Sequence, residues 1–448
     1  MAKKEGFSVA QAILRHFPNK LVVSLFRCGW SWNRIEYQQI VDCLLPLYKT
    51  QGGCAMTIKE QRIQNLIDAT NFREPEKVPV GANFMGWPFS YAGVKYTDLM
   101  DDPKKAAEAY VKIFDDCELD FYYGFGVAQP VKAYQELGCF CYDFGEEGTY
   151  VMNPQVEDIY CGSWIYDDII KDPEKFYFDT YLKLRLPVLN APRDEAYTRL
   201  KKALQEHRKL VEFNNLVNRY LSEEKQLANF RGSPLTYSSP LTIVFCMARG
   251  IRNTLIDLKR MPEKVYAACD ATWALKYAPG LLAQQEALAQ GAQASEFPWI
   301  TGSYHPEAFV SQQDFEAIFF KYFRQGVIPL LEKGMKYYLM GEGSFINTVD
   351  KYREAPKGSV IIQIDTDDPF DMHKKIGDWA TIVCGLKAGM LAVASKQECT
   401  DTVKRYFDTF APGGGFIFMP HYPLMSSTEA KAENLIAMYE TANELSRK

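Results

Sequence analysis

Val360-Ile-Ile-Gln-Ile-Asp-Thr-Asp-Asp-Pro369 decides the fold. Its first five residues form a short β-branched run that reads as a strand, and Asp365, Asp367 and Asp368 stand at its end. Pro369 to Ile376 then reads as a helix with proline in its first turn, and Ala380 to Cys384 as the next strand. Upstream, a strand over Phe297–Gly302 and a helix over Gln312–Lys333 precede a strand over Tyr337–Met340. Downstream come a helix over Gln397–Phe410, Pro412-Gly-Gly-Gly, a strand over Phe416–Met419 and a closing helix over Ala430–Leu445. Strands that alternate with helices predict a parallel sheet covered by helices.

The pattern extends toward the N-terminus. Ile58, Ile63, Leu66 and Ile67 have helical spacing in Thr57–Thr70, and Val78-Pro-Val-Gly-Ala-Asn-Phe enters a first strand. Asp102–Asp116 reads as a helix, Leu119–Tyr123 and Phe140–Phe144 as strands, and Asp194–Ser222 as a long charged helix. Leu241–Met247 reads as an apolar strand, followed by helices over Arg252–Arg260, Pro262–Lys276 and Leu281–Gln290. The repetition over 57–448 predicts an α/β chain folded as one (β/α)8 TIM barrel. Residues 1–56 read as a separate, mostly helical N-terminal extension that ends at Gly52-Gly53 and has aromatic side chains to cover against a partner or a second copy.

Composition narrows the function. The 448 residues are 47% hydrophobic, enough for a large core. A net charge of −5 without basic clusters argues against nucleic acid. The longest apolar runs, Leu21–Phe26 and Pro240–Met247, are far too short for a membrane span, and no secretory signal is expected. Eleven scattered cysteines point to reduced thiols and a cytoplasmic location. Cys139 and Cys141 alternate with aromatics and read as buried small side chains. No Gly-x-Gly-x-x-Gly follows a strand, and Gly413-Gly-Gly leads into a strand, not a helix, so no dinucleotide or phosphate cradle is expected.

A barrel carries its chemistry in the loops after its strands. Glu342 lies there between glycines, as do His421, Asp365, Cys384 and His305, while Asn83 and Trp87 follow the first strand. Glu342, Asp365, Cys384 and His421 form a candidate metal or acid–base cluster. The alternatives are a helix cap for either carboxylate, a hydrogen-bonded loop histidine and an inert buried thiol. Arg249, Arg252 and Arg260 could clamp an anionic substrate or serve ion pairs. Phe84, Trp87, Phe89, Tyr91, Tyr122, Tyr123, Tyr304 and Phe345 could line an apolar pocket or pack the core.

Several of these segments, in order, resemble the uroporphyrinogen decarboxylase superfamily. They are Ala69-Thr-Asn-Phe-Arg-Glu-Pro-Glu-Lys-Val-Pro-Val, Arg249-Gly, Asp257-Leu-Lys-Arg-Met-Pro-Glu-Lys-Val, Gly358-Ser-Val-Ile-Ile-Gln-Ile-Asp-Thr-Asp, Pro412-Gly-Gly-Gly-Phe-Ile-Phe and Ala432-Glu-Asn-Leu-Ile-Ala-Met-Tyr-Glu, within residues 57–445. The resemblance implies the barrel and one of two activities. The haem-pathway decarboxylase carries an arginine-rich first loop, where this chain has Asn83-Phe-Met-Gly-Trp-Pro-Phe. The corrinoid methyltransferases bind zinc through a His-x-Cys and a later Cys, where this chain has Met340-Gly-Glu342 and His421. The resemblance therefore implies zinc-assisted methyl transfer between a small methylated substrate and a corrinoid on a partner protein. Glu342, His421 and Cys384 would be the ligands, Glu342, His421 and Asp365 the catalytic groups, and Asn83, Trp87, Arg249 and His305 the substrate contacts. The alternative is a metal-free decarboxylation of a tetrapyrrole or other carboxylated substrate, and a third reading is a docking scaffold. A homodimer is a further expectation.

Overall fold

The computed structural model describes residues 56–124, 129–139, 141–152, 161–230, 235–242, 244–292 and 299–447. The expected extension over 1–56 lies outside these residues except for Met56. Helix α1 (Ile58–Thr70) opens the described chain, with a capping box in which Thr57 and Glu60 satisfy each other's backbone N–H groups.

The described strands are β1 (Gly81–Asn83), β2 (Phe121–Gly124), β3 (Tyr142–Phe144), β4 (Tyr150–Met152), β5 (Ala228–Asn229), β6 (Trp299–Tyr304), β7 (Lys336–Gly341), β8 (Val360–Gln363), β9 (Thr381–Cys384) and β10 (Phe416–Phe418). They form two parallel sheets, β1-β2-β5 and β10-β9-β8-β7-β6, and a separate antiparallel hairpin β3-β4. Parallel bridges link the two sheets: Val80 pairs with Phe418, and Thr236, shortly after β5, pairs with Thr301 of β6. At the second bridge a side chain on Gly302 would overlap the Tyr237 carbonyl and the Tyr337 hydroxyl, so only glycine admits the neighbouring chain. The chain is thus of the α/β class with parallel sheets, and among the described residues no helix is long and apolar enough to cross a membrane.

Successive strand residues face opposite sides of a sheet, and the core divides accordingly. Tyr337, Leu339, Ile362, Ile382, Cys384, Phe416 and Phe418 pack with the helices, against residues such as Phe407, Phe410, Leu435 and Met438. Tyr338, Ile361, Val383, Ile417 and Met419 instead join Phe121, Ala228 and Phe230, and Met340 packs on them. This second, inner core draws on both sheets and on Leu66 and Ala69 of α1. Its rings are close-packed, with centroids 4.8 Å apart for Phe121–Phe230 and 4.6 Å for Tyr123–Tyr338. Each such ring contributes about 1.5–3 kcal/mol by its burial.

Polar groups lock the N-terminal strand ends. Buried Lys336 at the start of β7 donates from Nζ to the Thr70 carbonyl at 2.9 Å, Asn71 Oδ1 at 2.9 Å and the Gly358 carbonyl at 2.7 Å, tying α1 to β7 and β8. Asp120, before β2, accepts from the Val80 N–H at 3.0 Å and from Lys77 at 2.9 Å.

Two expectations need correction, and a third is refined. Val244–Ala248 is a π-helical turn and not a strand. The Phe245 N–H reaches the Leu241 carbonyl and the Arg249 N–H the Val244 carbonyl, so the backbone is satisfied locally. A short apolar run without a polar face cannot be told from a strand by periodicity. The sheet positions come instead from β5 and the Thr236 bridge. The strand expected over Phe140–Phe144 exists as β3 but belongs to the hairpin. The helix expected over Gln312–Lys333 is present without a break over 312–331, with π-helical turns at Glu316–Phe320 and Phe323–Val327 inside it, the second just before Pro329.

Candidate active site

The inner-face alternation runs past the strand ends. Glu342 lies two residues beyond Met340, Asp365 two beyond Gln363 and His421 two beyond Met419. Hydrogen bonds join these loops. Gly343 has a φ of +97°, a conformation that glycine adopts without strain, and its N–H donates to Asp365 Oδ2 at 2.7 Å. His421 Nδ1 lies 3.0 Å from the Asp365 carbonyl. The Gln363 amide donates to the His421 carbonyl at 2.7 Å, and the Tyr338 hydroxyl donates to Gln363 Oε1.

His305, just past β6, meets Glu342, just past β7: Nδ1 and Oε2 are 2.6 Å apart. Their side chains are 24% and 31% exposed, so the pair is open to a ligand from solvent while partly shielded. Burial opposes a charge on His305, but the hydrogen bond and charge of Glu342, with Glu307, outweigh it and raise the imidazole pKa above its ordinary value. Behind the pair, Glu307 accepts the His305 N–H at 2.8 Å through Oε2, while its buried Oε1 makes no hydrogen bond. Burial pushes the Glu307 carboxyl up to about 7, only partly offset by backbone N–H groups and the His305 charge.

At the neighbouring strand end, burial raises the Asp365 carboxyl. The Gly343 N–H opposes the shift, and the charges of Glu342 and Asp367 add to it. His421 is buried and its pKa is pushed down to about 4, so the ring is neutral at pH 7. Nδ1 faces a carbonyl oxygen and must carry the proton, which leaves Nε2 as a buried acceptor without a partner. Asn83, fully buried, leaves both amide atoms unpartnered as well. Tyr422 joins the group: burial and the charges of Glu342 and Asp365 raise its phenol to about 12.

The remaining expected site residues stand elsewhere. Cys384 alternates with Val383 and so faces the helices, where it is completely buried and its thiol is raised by that burial. Among the described residues no group of three or more His, Cys, Asp and Glu could hold a metal ion, so Glu342, His421 and Cys384 do not fit a shared zinc. Arg249 has its guanidinium engaged: Nε and Nη2 reach Asp257 at 2.6 and 3.2 Å, and Nη1 reaches the Cys161 carbonyl at 3.1 Å. Trp87 is buried, donates its indole N–H to the Ala430 carbonyl at 2.9 Å and stacks on Tyr91. Phe84, Phe89, Tyr122, Tyr304 and Phe345 also lie in the helix-facing core, and of the proposed pocket aromatics only Tyr123 packs on the inner one. Gln363, Tyr338, Glu307 and Tyr422 were not singled out from sequence. The only polar residue within Val360–Ile364 is Gln363, which was the available signal; Glu307 follows His305 by two residues and gave a weaker one.

No family model and no curated protein matches the chain. A solved methyltransferase from Methanosarcina mazei is similar at 14% identity and a TM-score of 0.49, over 87% of this chain and 99% of that one. At that distance the likeness carries neither fold nor activity to this chain.

Proposed function

We propose that the two parallel sheets close as one (β/α)8 barrel through the segment that follows β5, and that its strand-end loops hold an acid–base site for methyl transfer from a small methylated substrate to a corrinoid on a partner protein. The observation that carries this is the 2.6 Å contact between His305 and Glu342 at adjacent strand ends. A methyl group leaves oxygen or nitrogen readily only if the departing atom is protonated or bound to a Lewis acid. Among the described residues no three-ligand metal group is gathered, so zinc has no part in this proposal. Glu342 favours the protonated form of His305, and the His305 Nε2–H gives its proton to the departing heteroatom as the bond to the methyl carbon breaks. Glu342 then holds the neutral ring in place until solvent reprotonates it. A corrinoid, when bound, supplies the nucleophilic cobalt that accepts the methyl group. The ordered segments that resemble the uroporphyrinogen decarboxylase superfamily support methyl transfer as the reaction class. Decarboxylation of a carboxylated substrate is less well supported, because its expected clamp, Arg249, is engaged by Asp257.

The test is an assay of the purified chain with O-, N- and S-methyl compounds and cob(I)alamin as acceptor, read by the loss of the cobalt(I) absorbance. At least one class should be demethylated, and His305→Asn and Glu342→Gln should each lower kcat/KM by about 10²–10⁴-fold with unchanged circular dichroism. A chain inactive on every class, or variants as fast as the parent, would refute the proposal.

A further inference from the structure

Away from the strand-end loops, Cys139 and Cys141 sit in a separate small core with Val131, Tyr134, Leu137, Tyr142 and Val188. Both are buried and neither is in a disulfide. Arg185 reaches Cys141 from the chain before the long helix Arg193–Arg219, its Nη1 contacting Cys141 Sγ. A guanidinium against a thiol pair is unexpected in a core that needs only small apolar side chains, because a partly buried cation requires an anionic partner.

The other cysteines sharpen the point. Burial raises the thiols of Cys117, Cys161, Cys269, Cys384 and Cys399. Cys139 goes the other way, down to about 6: the hydrogen bond with Cys141 outweighs its burial, and the Arg185 charge adds to it. The pair therefore favours a thiolate more than the other buried thiols do, with a second thiol beside it. A thiolate next to a resolving thiol is the arrangement of a reversible redox site.

We propose that Cys139 and Cys141 form a dithiol–disulfide site that reacts with hydroperoxides, with Arg185 seated against the Cys141 sulfur and its charge favouring the neighbouring thiolate. The Cys139 thiolate attacks the terminal oxygen of the hydroperoxide. The O–O bond breaks, a sulfenic acid forms, and the alkoxide or hydroxide leaves and takes a proton from water. The Cys141 sulfur then attacks Cys139 sulfur, the S–O bond breaks, and the hydroxide leaves as water with the Cys141 proton. Two thiols are oxidised by two electrons to one disulfide, and the hydroperoxide is reduced to an alcohol and water. Cysteines two residues apart span at most about 7 Å between Cα atoms, the upper edge of disulfide geometry, so the bond is readily reduced by thiols.

The full chain would be titrated with hydrogen peroxide, alkylated, and digested for mass spectrometry. The peptide bearing Cys139 and Cys141 should lose two hydrogens before Cys117 or Cys269 is modified, and dithiothreitol should restore it. Cys141→Ser should stop at a sulfenic acid on Cys139 that dimedone traps. Arg185→Gln, with circular dichroism as the check on folding, should slow the reaction by about tenfold. If Cys139 and Cys141 in the parent chain react no sooner than Cys117 and Cys269, or only irreversibly, the proposal fails whether or not the Arg185 variant folds.

Discussion

The two ends of the parallel strands are built on opposite terms. At the N-terminal ends the charged groups are saturated: Lys336 has three oxygen acceptors, and Asp120 holds a backbone N–H and a lysine. At the C-terminal ends, Asn83, His421 Nε2 and Glu307 Oε1 are buried without partners, and Glu342, Asp365 and Asp367 crowd one another. A buried polar atom without a partner costs about 1–3 kcal/mol. Such atoms occur elsewhere too, Thr381 Oγ1 at the start of β9 among them, but only at the C-terminal ends do they stand beside crowded carboxylates, where a ligand can supply the missing bonds.

The comparison can be broken by substitution. The largest effect is the loss of turnover on removing Glu342 or His305, which costs far less in stability than in activity. Next, Lys336→Ala should lower unfolding free energy by about 3 kcal/mol, because it strands three buried acceptors. The urea midpoint should fall while kcat/KM of the folded fraction stays within about twofold. Equal loss of activity would erase the division between the two ends.

A smaller and pH-dependent effect belongs to His421. Its folded pKa of about 4 lies below the ordinary 6.5, so the unfolded chain takes up the proton first as pH falls. His421 therefore makes the protein lose stability between about pH 6.5 and 4, by about 3 kcal/mol in total, with no effect above that window. His305 has the opposite sign: its raised pKa contributes stability that is full below 6.5 and is lost as pH rises through its folded value. The difference between parent and His421→Asn, followed by denaturation from pH 7 to 4, isolates the first effect, and a difference independent of pH would refute the buried neutral ring. Smallest of all, Cys384→Ala should cost about 1 kcal/mol and leave turnover unchanged, since its thiol faces the helices. A large loss of activity would return it to the site.

Much of this was legible in the residues. The strands β7 to β10 fall within a residue or two of where their apolar runs put them, because each run is bounded by helix signals or glycine. Glu342, Asp365 and His421 stand at strand ends, as read. The alternation 338–340–342, 361–363–365 and 417–419–421 also places them on one face, and 381–383 puts Cys384 on the other. Leu241–Met247 was not legible, since a short, almost wholly apolar run carries no face preference in its sequence to separate strand from helix.

The sequence by itself determined the alternation of strands and helices and the side of the sheet toward which each strand-end residue points, because pleat and helical period are properties of a few consecutive residues. Tertiary structure decided which of those residues meet. His305 and Glu342 are 37 positions apart, and only the parallel register of β6 and β7 brings their side chains into contact. The same folding takes Arg249 out of the candidate site by giving it Asp257, and leaves Asn83 and His421 with bonds unmade. Partnership between distant polar groups depends on register and packing across the whole sheet, which no local pattern encodes.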